Sequence, residues 1–334
     1  MNKLIFKLFY LKKAFPLFFI TLALFAGCAP KITGDAVKQP PKETAEMPQI
    51  YFCPRDDCSK VFEAHIKSAN SFVHCAFYDI ELENMISALA GKSSDIDVKF
   101  VMDSSTYEQQ IKGDAVKLDD DNQLMHNKFC VIDGNTVLTG SFNPTYNGNN
   151  RNNNNVVLIY SNALAKNYDD EFNELWNLDF GKGNSVKFPI VYINNMKVEN
   201  YFCPEDNCAS RIIDLIKNAE SSIHFMAFSF TNEDIADALV MKDNIDVRGI
   251  FDSRQAALRY SQFERLKEFG IKVKKDTNKY TMHHKVFIID ESVVVTGSFN
   301  PTLSADTKND ENLLIIHDKN IADAFLEEFD MLWE

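Results

Sequence analysis

Apolar and polar positions along the chain follow one pattern twice. Residues 71–78 and 221–229 are short apolar runs between turn signals, which predicts strands buried on both faces. Val61, Phe62, His65, Ile66 and Ala69 recur at helical spacing as Ile212, Ile213, Leu215, Ile216 and Ala219. An amphipathic helix is therefore expected before each of those strands. Further helices are expected over 82–90 and 234–240, and further strands over 98–102 and 247–251. A long helix is expected over 255–269, stopped by Gly270, where the first copy has a short polar segment. Each copy then has two close strands, 128–132 with 136–138 and 285–289 with 293–295. A last strand, 156–160 or 313–317, leads into a closing helix. Buried strands alternating with helices imply α/β architecture. The expectation is a duplicated α/β/α sandwich with a mixed, mostly parallel sheet in each half.

The residues repeat as well as the pattern. Tyr51-Phe-Cys-Pro-Arg-Asp-Asp-Cys58 returns as Tyr201-Phe-Cys-Pro-Glu-Asp-Asn-Cys208, and Glu171-Phe-Asn-Glu-Leu-Trp176 as Glu328-Phe-Asp-Met-Leu-Trp333. A period near 150 residues is a domain duplication and not a solenoid. The boundaries read as 1–27 leader, 28–49 tether, 50–180 first half and 181–334 second half.

Composition excludes whole classes. With 45% hydrophobic residues among 334, the chain can bury a sizeable core, so wholesale disorder is excluded. The net charge is −13, and setting aside four lysines in residues 1–27 takes it to −17. That argues against a broad basic face gripping a nucleic-acid backbone, though not against a small basic pocket. Lys3, Lys7, Lys12 and Lys13 followed by the apolar run 14–26 read as an export signal, too short to cross a bilayer comfortably. Phe25-Ala26-Gly27-Cys28 resembles a bacterial lipobox, with Phe25 where Leu is usual. The resemblance implies that Cys28 becomes the lipidated first residue of a protein in the cell envelope, facing the extracytoplasmic side. A cleaved secretory signal and an uncleaved anchor are the alternatives, and both also put the globular part outside the cytoplasm. Residues 29–49, with Pro30, Pro40, Pro41 and Pro48, read as a solvated tether.

The candidate chemistry lies in a motif present in both copies. His126-Asn-Lys128-Phe-Cys-Val-Ile-Asp133 is followed after six residues by Gly140-Ser141-Phe-Asn143. His283-His-Lys285-Val-Phe-Ile-Ile-Asp290 is followed after six by Gly297-Ser298-Phe-Asn300. Both match the HxKx4Dx6GSxN pattern in full, and the chain resembles the phospholipase D superfamily. Its compact halves look most like the small bacterial endonuclease and mitochondrial cardiolipin hydrolase branch, which use one motif per chain and dimerise. Here one site would form between fused halves, and no obligate protein partner is implied. On a strand alternate residues share a face, so His126 projects with Lys128 and His283 with Lys285. Ser141, Asn143, Ser298 and Asn300 are expected to add donors around one phosphate, where lysines neutralise its non-bridging oxygens. One imidazole would attack phosphorus and the other protonate the leaving oxygen. The resemblance implies this chemistry without a metal or other cofactor, and no His/Asp/Glu cluster at ligand spacing appears in the sequence. Asp133 and Asp290 belong to the motif but end apolar strands, so a hydrogen-bonding role is expected of them.

An asymmetry assigns roles. In the resembled family a carboxylate eleven residues beyond the motif Asn orients the opposite half's histidine. Glu311 stands there after Asn300, but Asn154 stands there after Asn143. Crossed pairing implies that Glu311 orients His126 as nucleophile, leaving His283 as general acid and then base. His284 would face the opposite way and pack, and His74 and His224 read as satisfied core histidines.

The remaining cysteines and loops complete the expectation. Outside the cytoplasm, Cys53 with Cys58 and Cys203 with Cys208 read as two local disulfides, since C-x4-C spacing fits a metal site poorly. Cys75 and Cys130 read as small buried hydrophobes. The Asn-rich run 147–155 reads as a mobile loop that could lie over the pocket. The substrate is left between a phospholipid, favoured by the lipid anchor and acidic charge, and a nucleic acid, favoured by Lys272, Lys274, Lys275 and Lys279. At the matching place the first half has Asp119, Asp120 and Asp121.

Overall fold

The computed structural model describes residues 39–334 except Gln110, Lys112 and Asp121. The expected leader and Cys28 lie outside the described residues. The first half threads β1 (Lys42–Glu43), β2 (Gln49–Cys53), α1 (Cys58–Ser68), β3 (Phe72–Phe77), α2 (Glu83–Lys92), β4 (Asp97–Met102), β5 (Val116–Leu118) and β6 (Lys128–Ile132). It closes with β7 (Thr136–Gly140), α3 (Tyr146–Asn150), β8 (Asn154–Tyr160) and α4 (Asn162–Trp176). The second half follows with β9 (Ile190–Ile193), β10 (Met196–Cys203), α5 (Cys208–Asn218), β11 (Ser222–Ala227), α6 (Glu233–Val240), β12 (Asp246–Phe251) and α7 (Phe263–Glu268). It ends with β13 (Lys272–Lys275), β14 (Lys285–Ile289), β15 (Val293–Gly297), α8 (Leu303–Thr307), β16 (Glu311–His317) and α9 (Lys319–Trp333).

Each half builds its own sheet, except that β1 joins the sheet of the second half. The orders are β2-β8-β7-β6-β3-β4-β5 and β1-β9-β10-β16-β15-β14-β11-β12-β13. Side-chain alternation decides what each face meets. On β6, Phe129 and Val131 join a core shared by both sheets, whereas Cys130 and Ile132 face α1 and α2. The shared core contains Tyr168 and Phe172 of α4 and Phe325 and Phe329 of α9. The closing helices therefore lie between the sheets. Each fully buried residue of this kind contributes roughly 1.5–3 kcal/mol.

Several expectations need correction. Both sheets are mixed, but antiparallel ladders outnumber parallel ones, which are confined in the first half to β3-β4 and β4-β5. The reason is the β6–β7 hairpin that carries the motif: a two-strand hairpin is necessarily antiparallel. The helix expected over 255–269 breaks into a turn at Gln255–Ala257 and α7. The amide of Gln262 bonds the Phe230 carbonyl instead of continuing a helix, and Leu258 and Tyr260 are left exposed. Part of the expected tether is folded. β1 pairs with β9, and the Glu43 carboxylate accepts from the amide of Ala163 and the hydroxyl of Ser161 at the start of α4. The Asn-rich run is built in too. Thr145 caps α3, and Asn149 accepts from the Ser59 amide at 2.8 Å and donates to Asp57.

The expected disulfides Cys53–Cys58 and Cys203–Cys208 are both present. Cys75 and Cys130, read as free hydrophobes, form a third bond. They lie directly opposite on antiparallel β3 and β6, with Cα atoms 4.1 Å apart. The second half fills the equivalent positions with Phe225 and Phe287, whose rings stack at 5.6 Å. Among the described residues, no helix is long and apolar enough to cross a membrane.

Candidate active site

Each motif histidine sits just before a central strand and is gripped by the other half. The amide of His126 donates to the Asp310 carbonyl at 3.0 Å, and that of His283 to the Asn153 carbonyl at 2.9 Å. The chain approaching each histidine is held by an aspartate. Asp103 accepts from the amide of Met125 at 3.1 Å, and Asp252 from that of Met282 at 3.3 Å. This pair is not among the residues expected from the sequence. The signal is there, because the two recur directly after β4 and β12.

The imidazoles are oriented differently. His126 Nδ1 lies 2.8 Å from both carboxylate oxygens of Glu311. Glu311 is fully buried and also accepts from the Ser298 hydroxyl at 2.6 Å. His283 Nδ1 instead meets Asn154 Oδ1 at 2.8 Å and the Ser141 carbonyl at 3.1 Å. In both rings Nδ1 faces acceptors, so Nδ1 carries the proton and Nε2 presents its lone pair. For His283 that lone pair accepts from Lys285 Nζ at 3.2 Å. The crossed pairing expected from the sequence is thus the observed geometry.

The lysines stand over aromatic rings. Lys128 Nζ is 5.3 Å from the Tyr78 ring and donates to the His126 carbonyl at 2.8 Å. Lys285 Nζ is 5.1 Å from the Phe228 ring and donates to the His283 carbonyl at 3.0 Å. Burial disfavours every charge here. It pushes Lys128 down to about 7, against the pull of Glu311 and Asp79. Burial, then the Lys128 charge, pushes Lys285 well below its ordinary value. Burial and the two lysines push His126 and His283 well down. Burial raises Glu311 to about 8, with Lys128 opposing. An anionic phosphodiester entering this site would reverse these shifts on the cations.

Other expected site residues fall elsewhere. The hydroxyls of Ser141 and Ser298, assigned to phosphate, are completely buried behind the histidines. Ser298 holds Glu311, and Ser141 lies against the Asn154 and Asn155 side chains. Asn143 and Asn300 each keep a buried amide oxygen with no partner; that atom only accepts, so a phosphate oxygen would meet the NH2 group of the same side chain. Asp133 and Asp290 sit at the far ends of their strands. Partial burial raises Asp133, but bonds from the amides of Ser71, Asn70 and Phe72 outweigh it and hold the carboxyl low. Asp290 does the same with Glu220, Ser221 and Ser222. They fasten the starts of β3 and β11 and do not face the histidines.

The interface below the histidines repeats with the same pseudo-symmetry. Thr139 donates to Asn312 at 2.7 Å, and Asn155 to Thr296 at 2.7 Å. His284 is fully buried there, between Asn155 at 3.2 Å and Glu328 at 3.3 Å, as its opposite orientation implied. His74 meets Asp169 at 2.7 Å, whereas His224 keeps an unpaired Nδ1. No carboxylate cluster is legible from spacing along the chain. The fold nevertheless brings Glu205 to Glu171 and Glu174, with ligand-type oxygens within 4.8 Å of one another.

Residues 62–176 and 212–333 each match the family described as "Cardiolipin synthase, PLD-like domain". The mitochondrial cardiolipin hydrolase of Chlamydomonas reinhardtii is 35% identical over 127 residues, 37% of this chain and 57% of that protein. The phospholipase D of Rickettsia prowazekii is 33% identical over 142 residues, 42% of this chain and 69% of that protein. The matched stretch thus spans little more than half of the first relative's length. The phosphatidylserine synthase of Haemophilus influenzae superposes with a TM-score of 0.65 at 15% identity, covering 85% of this chain and 86% of that one. That likeness extends the shared fold across both halves.

Proposed function

This chain belongs to the PLD-like domain family of cardiolipin synthase, matched once by each half, and on that premise we propose that it is a phosphodiester hydrolase. It works through a phosphohistidine and removes headgroups from phospholipids. The observation that carries this reading is the convergence of two histidines from different halves, with Nδ1 of His126 held by a buried carboxylate.

The steps follow from the tautomers. His126 Nε2 attacks phosphorus, and its Nδ1 proton stabilises the forming imidazolium against Glu311. The bond from phosphorus to the headgroup oxygen breaks. His283, protonated once the substrate anion has entered, gives that oxygen its proton. His283 then takes a proton from water, the water oxygen attacks phosphorus, and the P–N bond breaks to release phosphatidate. Lys128, Lys285 and the amides of Asn143 and Asn300 hold the charge on the non-bridging oxygens. No metal takes part in these steps. One chain supplies both halves of the site, so a monomer suffices. Lipidation at Cys28 would hold the enzyme against its substrate in the cell envelope and raise the effective concentration.

Lipid is favoured over nucleic acid by the surroundings. Asp79, Glu81, Glu83 and Glu108 line a cleft of about 500 Å³ next to Tyr78. That charge repels a long polyanion. The lysine-rich strand β13 is partly engaged, with Lys272 on Asp246 at 3.2 Å and Lys274 on the Trp333 carbonyl. The test is headgroup release from mixed phospholipid vesicles in EDTA, with His126→Ala as control. Release by the unaltered protein alone is expected. A folded sample that cleaves nucleic acid in the same buffer and leaves vesicles intact would overturn the lipid assignment.

A further inference from the structure

The turn bounded by each Cys-x4-Cys disulfide reaches across to the closing helix of the other half. In one crossing Arg55 lies on Glu328 at 3.3 Å and on Met331 Sδ at 3.4 Å. The repeat aligns Arg55 with Glu205, Glu328 with Glu171 and Met331 with Glu174. A balanced Arg–Glu–Met group in one crossing is therefore three glutamates in the other, within 4.8 Å of one another. Like charges so close repel strongly unless a shared proton or a cation lies between them, and burial, then the neighbouring carboxylates, already hold Glu171 above the usual carboxylate range. Among the described residues, none of the three has an ion-pair partner. Glu171 is itself 94% buried, being 6% exposed.

A second observation points into the same place. Asp310 is 2% exposed, and its Oδ2 has no partner. Its repeat counterpart, Asn153, lines the pocket that holds Arg55 and Glu328. Asp310 lies close enough to the glutamate crossing that its charge acts on Glu171 and the charge of Glu205 acts on it. Gly183 lies against the same group, where a Cβ would collide with Glu174 Oε2 and Glu205 Oε1. A cleft of about 470 Å³ opens beside Glu171 and Glu174, with Asn167, Asn173 and Asp179 adding oxygens to its wall and Lys187 its one cation.

We propose that Glu171, Glu174 and Glu205 bind one divalent cation that fastens the two halves, in the place where Arg55 fastens them on the other side. Asp310 accepts from water on the ion. All-oxygen donors from three separate elements suit calcium, which takes six to eight oxygens in flexible geometry, better than magnesium. The ion lies beneath the reaction site. Glu171 meets Asn127, the residue between His126 and Lys128, at 3.4 Å.

The test is thermal unfolding of the whole protein, stripped with EDTA and then titrated with calcium chloride. A rise of about 5 °C at saturating calcium is expected, with one ion bound per chain by calorimetry. Glu205→Arg, which copies the other crossing, should unfold in EDTA near the temperature of the calcium-bound parent and ignore calcium. Glu174→Met should keep the fold and weaken calcium binding at least about tenfold. His126→Ala should respond to calcium like the parent, so the ion site stands or falls separately from the hydrolase reading. No calcium response in the parent, or an undiminished response in both Glu205→Arg and Glu174→Met, would overturn the proposal.

Discussion

The two halves share strands, motif and hairpin, and they differ where they meet. The first half offers His126 to a carboxylate; the second offers His283 to an amide. The first joins β3 to β6 by a disulfide; the second stacks two phenylalanines at the same register. Neighbouring positions adjust. Phe100 stands opposite Cys75, whereas Gly249 stands opposite Phe225, and any Cβ on Gly249 would strike that ring. Duplication thus preserves what both copies need, a histidine just before a central strand and a lysine at its start. It frees one copy to specialise wherever a single carboxylate or a single bridge suffices.

The largest effect expected from breaking this asymmetry is catalytic. Glu311→Gln should lower the rate of headgroup release by about 10²–10⁴, because the amide cannot stabilise the imidazolium. Asn154→Ala should cost less than about tenfold, since the amide orients His283 but carries no charge to stabilise an imidazolium. Equal losses in steady-state kinetics would show that the difference between the histidines has no functional weight.

The next effect is on stability. Replacing Cys75 and Cys130 together by alanine should cost about 2–4 kcal/mol in urea unfolding, the usual worth of a closed loop. The second half has no counterpart to this bridge, so reducing agent, which also opens the Cys-x4-Cys bond of each half, should loosen the first half more than the second, as hydrogen exchange would read.

A smaller effect follows from the lysines. With Lys128 near 7 in the free protein, an anion must restore a proton to it at higher pH. Sulfate does not titrate in this range, so its affinity should fall about tenfold per pH unit above 7. The linkage has a stability sign as well. Between about 7 and 10.5 the unfolded chain holds this proton and the folded one does not, so stability rises with pH across that window. Lys128→Met should flatten the sulfate profile, as calorimetry at several pH values would show.

The sequence made the duplication, the site and the crossed pairing legible, because each rests on residues at fixed spacing. Glu311 could be located by counting from Asn300. What it hid depends on contacts between distant segments. Cys75 and Cys130 are separated by 55 residues, and only the strand register shows that they face each other. Gln255 to Phe269 has helical spacing, but a bond to Phe230 interrupts it. Composition alone made 147–155 a loop, yet Asn149 and Asn154 are fixed by Ser59 and His283. The serines of the motif read as phosphate donors because nothing local reveals that Glu311 and Asn154 lie behind them. Glu205 joins Glu171 and Glu174 from the other half, so no spacing in the chain could announce the group.

The central claim is that the two equivalent histidines divide the work, with His126 taking the phosphoryl group. Its most direct test is acid-free rapid quench of the enzyme with a phosphorus-labelled phosphatidyl substrate, followed by peptide mapping of the trapped protein. Label on His126, lost in His126→Ala and prolonged by His283→Ala with an activated leaving group, is the predicted result. Label on His283 in the unaltered protein would contradict the account.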